Sequence, residues 1–295
     1  MRSLYHIFCV SLQKITNNNK YMANYNIREL QVRILGILLE FDKVCKEHGL
    51  RYCICGGTMI GAVRHKGFIP WDDDLDVSMP RPDYEKLIAH CHEWLPKQFE
   101  FVCAENDPNY PLPFGKIQDA STTLIERKHL YYLGGCYIDI FPYDAYPDNA
   151  LARRWQCIKY HYLKQCLYLV HRDPFRHGHG PSCWIPLLVR KIHSMAGLQK
   201  SIRKVLNAYD YNTCNLAASY TDGYKKILPK HIVDEYCPYT FEGHTVMGIK
   251  NYDTYLKCMY GDYMTIPPVE KRIQHNFYYL DLHTPYREYK KANKD

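Results

Sequence analysis

The densest charge in the chain lies in Pro70-Trp71-Asp72-Asp73-Asp74-Leu75-Asp76, with four carboxylates in five residues. Carboxylates held that closely repel one another, and a bound cation relieves the repulsion. Leu75 and Val77 alternate with Asp74 and Asp76, the two-residue period of a strand, so both acids are expected on one face, close enough to share a divalent metal. Hard oxygen donors suit Mg²⁺ or Mn²⁺, and Mg²⁺ typically takes one or two carboxylates together with substrate phosphates. A third carboxylate has to come from a neighbouring strand. Asp139, an acid between Ile138 and Ile140 at an otherwise apolar strand position, is the candidate.

Two blander readings compete. Asp72-x-Asp74-x-Asp76 matches the first three ligands of a calcium loop. However, Val77 stands where that loop needs glycine, Asp83 where it needs glutamate, and Pro80 and Pro82 spoil its exiting helix. A solvated acidic turn is disfavoured by apolar Leu75 and Val77. Ahead of the acids lies Gly56-Gly57-Thr58, placed where a strand gives way to a helix. Glycines at such a junction let backbone N–H groups approach a phosphate, and the helix N-terminus favours its negative charge. Gly-Gly alone is a common turn; a phosphate-plus-metal site requires the aspartates as well. Arg64, His65 and Lys66 add positive charge between the halves, although His65 alone fits a packing role equally well.

The elements that must carry these residues follow from periodicity. Ile27, Leu30, Ile34, Ile37, Leu38, Phe41, Val44 and Cys45 recur at helical spacing, with Gly49 placed to end the helix. Leu50 to Cys55 suits a strand, and Thr58 to Arg64 a helix capped by Thr58. The strand carrying Asp74 and Asp76 stops at Pro80 and Pro82, before a helix marked by Tyr84, Leu87, Ile88 and Cys91. Further strands are expected at 100–104, 122–126 and 136–141. Residues 151–206 read as helical with a break at 173–181, and the last helix as 252–260. The class is α+β.

At 295 residues, 46% hydrophobic and 23% charged, the chain has the balance of a globular protein with a sizeable core. It contains no apolar run of about 18 residues that would span a membrane. Leu4 to Leu12 is apolar but short and lacks a cleavage site, a poor leader peptide. The thirteen cysteines are an odd number and include no Cys-x-x-Cys pair, which points to reduced thiols rather than a disulfide framework. The net charge of +7 is concentrated: 153–204 holds eleven Lys/Arg, one acid (Asp173) and five histidines, leaving 27 basic and 30 acidic residues elsewhere. Such a segment suits an anionic membrane surface or a phosphate-bearing glycan, or else is a solvated helical face. No nucleic-acid module is recognisable.

The run from Gly56 through Arg64-His65-Lys66-Gly67-Phe68-Ile69-Pro70-Trp71 to Val77 strongly resembles the signature of LicD-type proteins, bacterial phosphocholine transferases related to fukutin. The resemblance continues through Arg81-Pro82-Asp83-Tyr84-Glu85, Phe114-Gly115-Lys116-Ile117, Tyr137-Ile138-Asp139-Ile140-Phe141-Pro142 and Tyr260-Gly261-Asp262-Tyr263. Arg28-Glu29-Leu30-Gln31 fits the usual family start, so Met22 is a candidate initiator. The resemblance implies a nucleotidyltransferase-like mixed sheet with packed helices and a helical, basic C-terminal half. It implies a domain over 22–280 with a helical insert at about 151–207, flanked by an extension (1–21) and a polar tail (281–295).

The resemblance also implies transfer of a phospho-alcohol, phosphocholine first among them, from a CDP-linked donor to a glycan hydroxyl such as that of lipopolysaccharide. Asp74, Asp76 and Asp139 would be the metal carboxylates, Asp72 an auxiliary acid and Asp73 a flanking one. Gly56, Gly57 and Thr58, with Arg64, His65 and Lys116, would serve the donor phosphates. The expected location is cytoplasmic, peripheral on the inner face of the membrane. Two rivals remain at this level. A nucleotide-sugar glycosyltransferase with an Asp-x-Asp site explains the acids but not Gly-Gly-Thr, and a non-catalytic nucleotide-binding relative has no need of the acids.

Overall fold

The computed structural model describes residues 25–289 except 128, 130, 131, 273 and 276. The expected extension 1–21 and the end of the expected tail, 290–295, lie outside the described residues.

Helix α1 (Ile27–His48) begins where Asn26 accepts the N–H groups of Arg28 and Glu29, and ends at Gly49 in the left-handed region (φ 63°). Its periodic apolar stripe is buried, as expected. Strand β1 (Cys53–Ile54) leads into α2 (Gly56–His65). This helix starts two residues before Thr58, and its cap position, Cys55, makes no side-chain cap bond. Thr58 is therefore not the cap: its hydroxyl accepts the N–H of Asp76 at 2.9 Å and ties α2 to the next strand. That strand, β2 (Asp76–Pro80), begins at Asp76, so Asp74 lies in the approach to it rather than within it. Pro82 sits in the first turn of α3 (Arg81–Trp94), where its missing N–H costs nothing.

Strands β3 (Phe99–Val102), β4 (Gly115–Asp119), β5 (Thr123–Ile125) and β6 (Tyr137–Tyr146) follow, then α4 (Ala150–His171), α5 (Pro181–Ile192) and α6 (Met195–Leu206). The helical stretch expected over 151–206, broken at 173–181, is realised as these three helices. Beyond them the chain returns to the sheet through β7 (Leu216–Ala218), β8 (Leu228–Pro229), α7 (Lys230–Val233), β9 (Tyr236–Phe241) and β10 (His244–Ile249), before α8 (Tyr252–Tyr260) and β11 (Tyr279–Asp281).

Among the described residues β1–β4 and β6–β10 form one nine-stranded mixed sheet whose main path runs β3-β4-β6-β2-β1-β10-β9. The β2/β6 and β1/β10 pairs are parallel and the others on this path antiparallel. The principal core lies between this sheet and α1, α2 and α3; a second apolar cluster, around Tyr146, Tyr160, Leu167, Leu198 and Ile202, joins α4 and α6 to the far end of β6. Two clamps connect the parts. Buried Arg81 grips Asp144 through two hydrogen bonds, of 2.6 and 2.9 Å. Arg203 on α6 holds Glu85 on α3 at 2.5 Å and also pairs with Glu105. Residues of the expected tail pack onto the body: β11 pairs with β5, Leu282 is buried, and Tyr286 donates to Glu100 at 2.8 Å. Every described cysteine is a free thiol, and among the described residues no helix is long and apolar enough to cross a membrane.

Candidate active site

The parallel register of β2 and β6 sets Asp76 directly beside Asp139, and the antiparallel register of β4 sets Lys116 beside Asp139 on the other side. Three charged residues thus occupy one rung across adjacent strands. Alternation does the sorting: Val77, Ile138 and Ile140 are buried, while Asp76 and Asp139 are half-buried on the opposite face.

The start of α2 stands over this rung. Gly56 has φ 55°, and a Cβ there would meet Asp76 Oδ2 at 3.0 Å and the Tyr260 hydroxyl at 3.3 Å. A Cβ on Gly57 would come within 3.1 Å of Asp72 Oδ2. Only glycine admits both the backbone angle and the carboxylates pressed against the helix end. The Gly56 N–H is held by the Tyr255 hydroxyl at 3.1 Å, which fixes this end against α8.

Electrostatics bind the four expected acids into one group. Burial, then the charge of Asp74, raises Asp72 well above the usual carboxylate range. Burial likewise raises Asp76, helped by Asp74, Asp139 and Asp72. Asp139 is pushed up to about 6, with burial the largest cause and Lys116 pulling the other way. Its Oδ1 is buried without a hydrogen bond, although Lys116 Nζ lies 3.3 Å away. Among the described residues no three such groups are already drawn together as a metal cage. The chemistry of the set, all oxygen, half-exposed and short of positive charge, fits a hard divalent cation.

Lys116 is buried and largely committed. Its ammonium meets Glu126 Oε1 at 2.5 Å and lies 3.1 Å from the centre of the Tyr137 ring. In return Glu126 is held at about 2 against the cost of its burial. Arg64 and His65 sit in the last turn of α2, the end opposite Gly56. Arg64 donates to His65 Nε2 at 2.9 Å and to the Tyr263 carbonyl at 2.9 Å. Burial and Arg64 hold His65 below its ordinary value, so its imidazole is neutral at pH 7. Arg64, though partly desolvated, still feels the charge of Asp72.

Asp73 points away from the other acids. Buried, it accepts from the Tyr25 hydroxyl at 2.6 Å, and from the backbone N–H (3.0 Å) and Nδ1 (2.8 Å) of His275. Against the cost of burial, His275 and Tyr25 keep it ionised. Its role is to pin the chain around His275, whose Nε2 reaches Asp74 Oδ2 at 3.5 Å. His275, Tyr255, Tyr260, Glu126 and Gln31 were not singled out by residue type or spacing. Tyr260 and Gln31 do fall within motifs visible in the sequence, whereas His275 and Glu126 carry no local signal.

The loop leading to the acids is also built. Gly61 lies so close to the Gly67 carbonyl that a Cβ would stand 2.4 Å from it. Glu242, at the β9–β10 turn, accepts the N–H of Phe68 at 3.0 Å while its own N–H bonds the Lys66 carbonyl at 2.8 Å.

Residues 49–168 match the LicD/FKTN/FKRP nucleotidyltransferase domain, a range that holds Gly56 through Asp139. The chain is 28% identical over 261 residues to the lipopolysaccharide cholinephosphotransferase LicD of Haemophilus influenzae, covering 86% of this chain and 97% of that protein. Shorter stretches resemble uncharacterized proteins of Rickettsia prowazekii (32% identical over 89 residues, 30% of this chain and 32% of that one) and Rickettsia typhi (31% over 70 residues, 23% of each). The glycines at the start of α2, the four acids and Lys116 thus all lie within a LicD/FKTN/FKRP nucleotidyltransferase domain, and the similarity to the Haemophilus protein runs nearly end to end.

Proposed function

We propose that this LicD-type phosphotransferase moves a phospho-alcohol, phosphocholine first, from a CDP-linked donor to a hydroxyl of a cell-surface glycan such as lipopolysaccharide. The observation that carries this reading is the Asp76–Asp139 rung lying under the glycine-lined start of α2. A helix N-terminus that faces carboxylates gains most when a cation and a phosphate lie between them. The name and coverage of the Haemophilus relative support phosphocholine and lipopolysaccharide as the first pair to try.

In this reading Asp74, Asp76 and Asp139 hold Mg²⁺ or Mn²⁺. Such an ion supplies charge neutralisation at the donor phosphates. The first-turn N–H groups of Gly57 and Thr58, which by helix geometry have no acceptor within α2, aim at a phosphate. Asp72 stands outside the ligand set, beside the start of α2 at Gly57, and would take the proton of the attacking hydroxyl as the bond to CMP breaks. Lys116 keeps Asp139 turned toward the rung, and Arg64 offsets the negative charge near Asp72. Orientation and charge compensation provide most of the acceleration in such transfers.

The test is direct. Purified protein is incubated with CDP-choline, CDP-ribitol or CDP-glycerol, glycolipid extract and Mg²⁺, and nucleotide release is followed. CMP released with one donor, and lost in EDTA, is the expected result. UDP or GDP released from nucleotide sugars instead supports the glycosyltransferase, and tight donor binding with no turnover supports a non-catalytic relative.

A further inference from the structure

Helices α4 and α5 expose apolar side chains in ordered stripes. On α4, Leu151, Trp155, Ile158 and Tyr162 follow one another at helical spacing and are 79, 58, 50 and 56% exposed. On α5 only Cys183 and Pro186 are buried, while Trp184, Ile185, Leu188 and Ile192 face outward at 58–66% exposure. The apolar side of α5 is thus turned to water. The two helices adjoin: the Tyr162 hydroxyl lies 3.4 Å from His193 Nε2, and Arg190 on α5 donates to the carbonyls of Val170 and Arg172. A surface of this kind marks a contact face.

Its charge indicates the partner. Exposed Arg154, Lys159, Arg190 and Lys191 are interleaved with the apolar residues, and Lys159 Nζ lies 5.4 Å from the centre of the Trp155 ring. The surrounding segment carries the whole positive excess of the chain. A second copy fits poorly, because a two-fold contact would set this positive face against itself. Nucleic acid would satisfy the cations but leave Ile185, Leu188 and Ile192 without a partner. Tryptophan and aliphatic side chains among lysines and arginines match the boundary between acyl chains and anionic headgroups.

We propose that the α4–α5 face docks the protein onto an anionic lipid bilayer, with Trp184, Ile185 and Leu188 entering the headgroup boundary and the neighbouring cations pairing with lipid phosphates. The assignment does not depend on which group the active site transfers. It is tested with the full chain by flotation with phosphatidylcholine vesicles containing phosphatidylglycerol, and with pure phosphatidylcholine. Binding to the anionic vesicles at low salt, weakened by high salt and accompanied by a blue shift of tryptophan emission, is expected. The triple variant Trp184→Ser, Ile185→Ser, Leu188→Ser removes three exposed side chains, so its circular dichroism and melting midpoint should match wild type while its vesicle affinity falls about tenfold or more. Wild-type protein that stays unbound with anionic vesicles at low salt overturns the proposal. So does a triple variant that binds like wild type, or a concentration-dependent dimer that the triple substitution dissolves.

Discussion

Gln31 on α1 donates its side-chain amide to the carbonyl oxygen of Asp72 at 2.9 Å and lies 3.4 Å from that of Ile69, while itself 97% shielded from solvent (3% exposed). Arg28, one turn earlier, donates to the side-chain Oε1 of Gln31 at 3.2 Å and orients the amide. The first helix thereby sets the height at which the aspartate loop meets α2.

Replacing Gln31 by leucine leaves two carbonyls without this donor and should lower the free energy of unfolding by about 1–3 kcal/mol. Because small displacements of positioned groups are costly, turnover should fall about a hundredfold. Gln31→Glu should do no better, since a carboxylate cannot donate. Chemical denaturation and CMP release measure the two effects; wild-type turnover in Gln31→Leu would remove Gln31 from site positioning.

Asp76→Asn and Asp139→Asn keep size and remove charge. Each should abolish turnover. Melting midpoints in EDTA should not fall, because the substitution relieves repulsion among the buried acids. Near-normal activity in both variants would eliminate the metal-site reading.

The Arg81–Asp144 pair is structural. Arg81→Ala strands a buried carboxylate and should cost about 3–5 kcal/mol in urea unfolding. Arg81→Lys should recover little of it, because an ammonium cannot reproduce the two-point grip. A variant as stable as wild type would show that Asp144 has found another partner.

Asp222, which shares Cys55 and Tyr260 as neighbours with Asp76, offers a pH signature. Burial pushes it up to about 7, against the attraction of Lys164 and Lys226. The folded chain therefore holds this proton more tightly than the unfolded chain, where the ordinary value is 3.8. Its stabilising contribution is full below the unfolded value and drains away as pH rises through the folded one. Asp222→Asn should thus gain in melting midpoint relative to wild type between about pH 5 and about pH 8. A difference that stays flat across that range would mean Asp222 is ionised throughout.

Periodicity located α1, the site helix α2 and α8 because each buries a stripe that is written locally. It misjudged the start of α2 and the cap role of Thr58, since the hydroxyl bonds the N–H of Asp76, a residue on another element. It missed β4 and β7–β11. Several of these are only two or three residues long, and β9 carries Pro238, tolerated there because β9 ends the main path of the sheet. Strand identity in such cases comes from the partner strand rather than from the segment itself.

By itself the sequence determined the chemistry on offer: an acid cluster that calls for a cation, glycines ahead of it, and a basic helical segment that holds the chain's positive excess. Those are properties of residue type and short spacing; the resemblance to the LicD family rested on the contiguous motifs around the acids and glycines. Only the tertiary structure decided how they are used. It turned Asp73 away to grip His275, committed Lys116 to Glu126 and set Asp76 against Asp139 across a parallel rung. It also turned the apolar stripes of α4 and α5 outward. Each outcome depends on strand register and on packing between residues far apart in the chain, where side-chain partners are chosen by three-dimensional proximity.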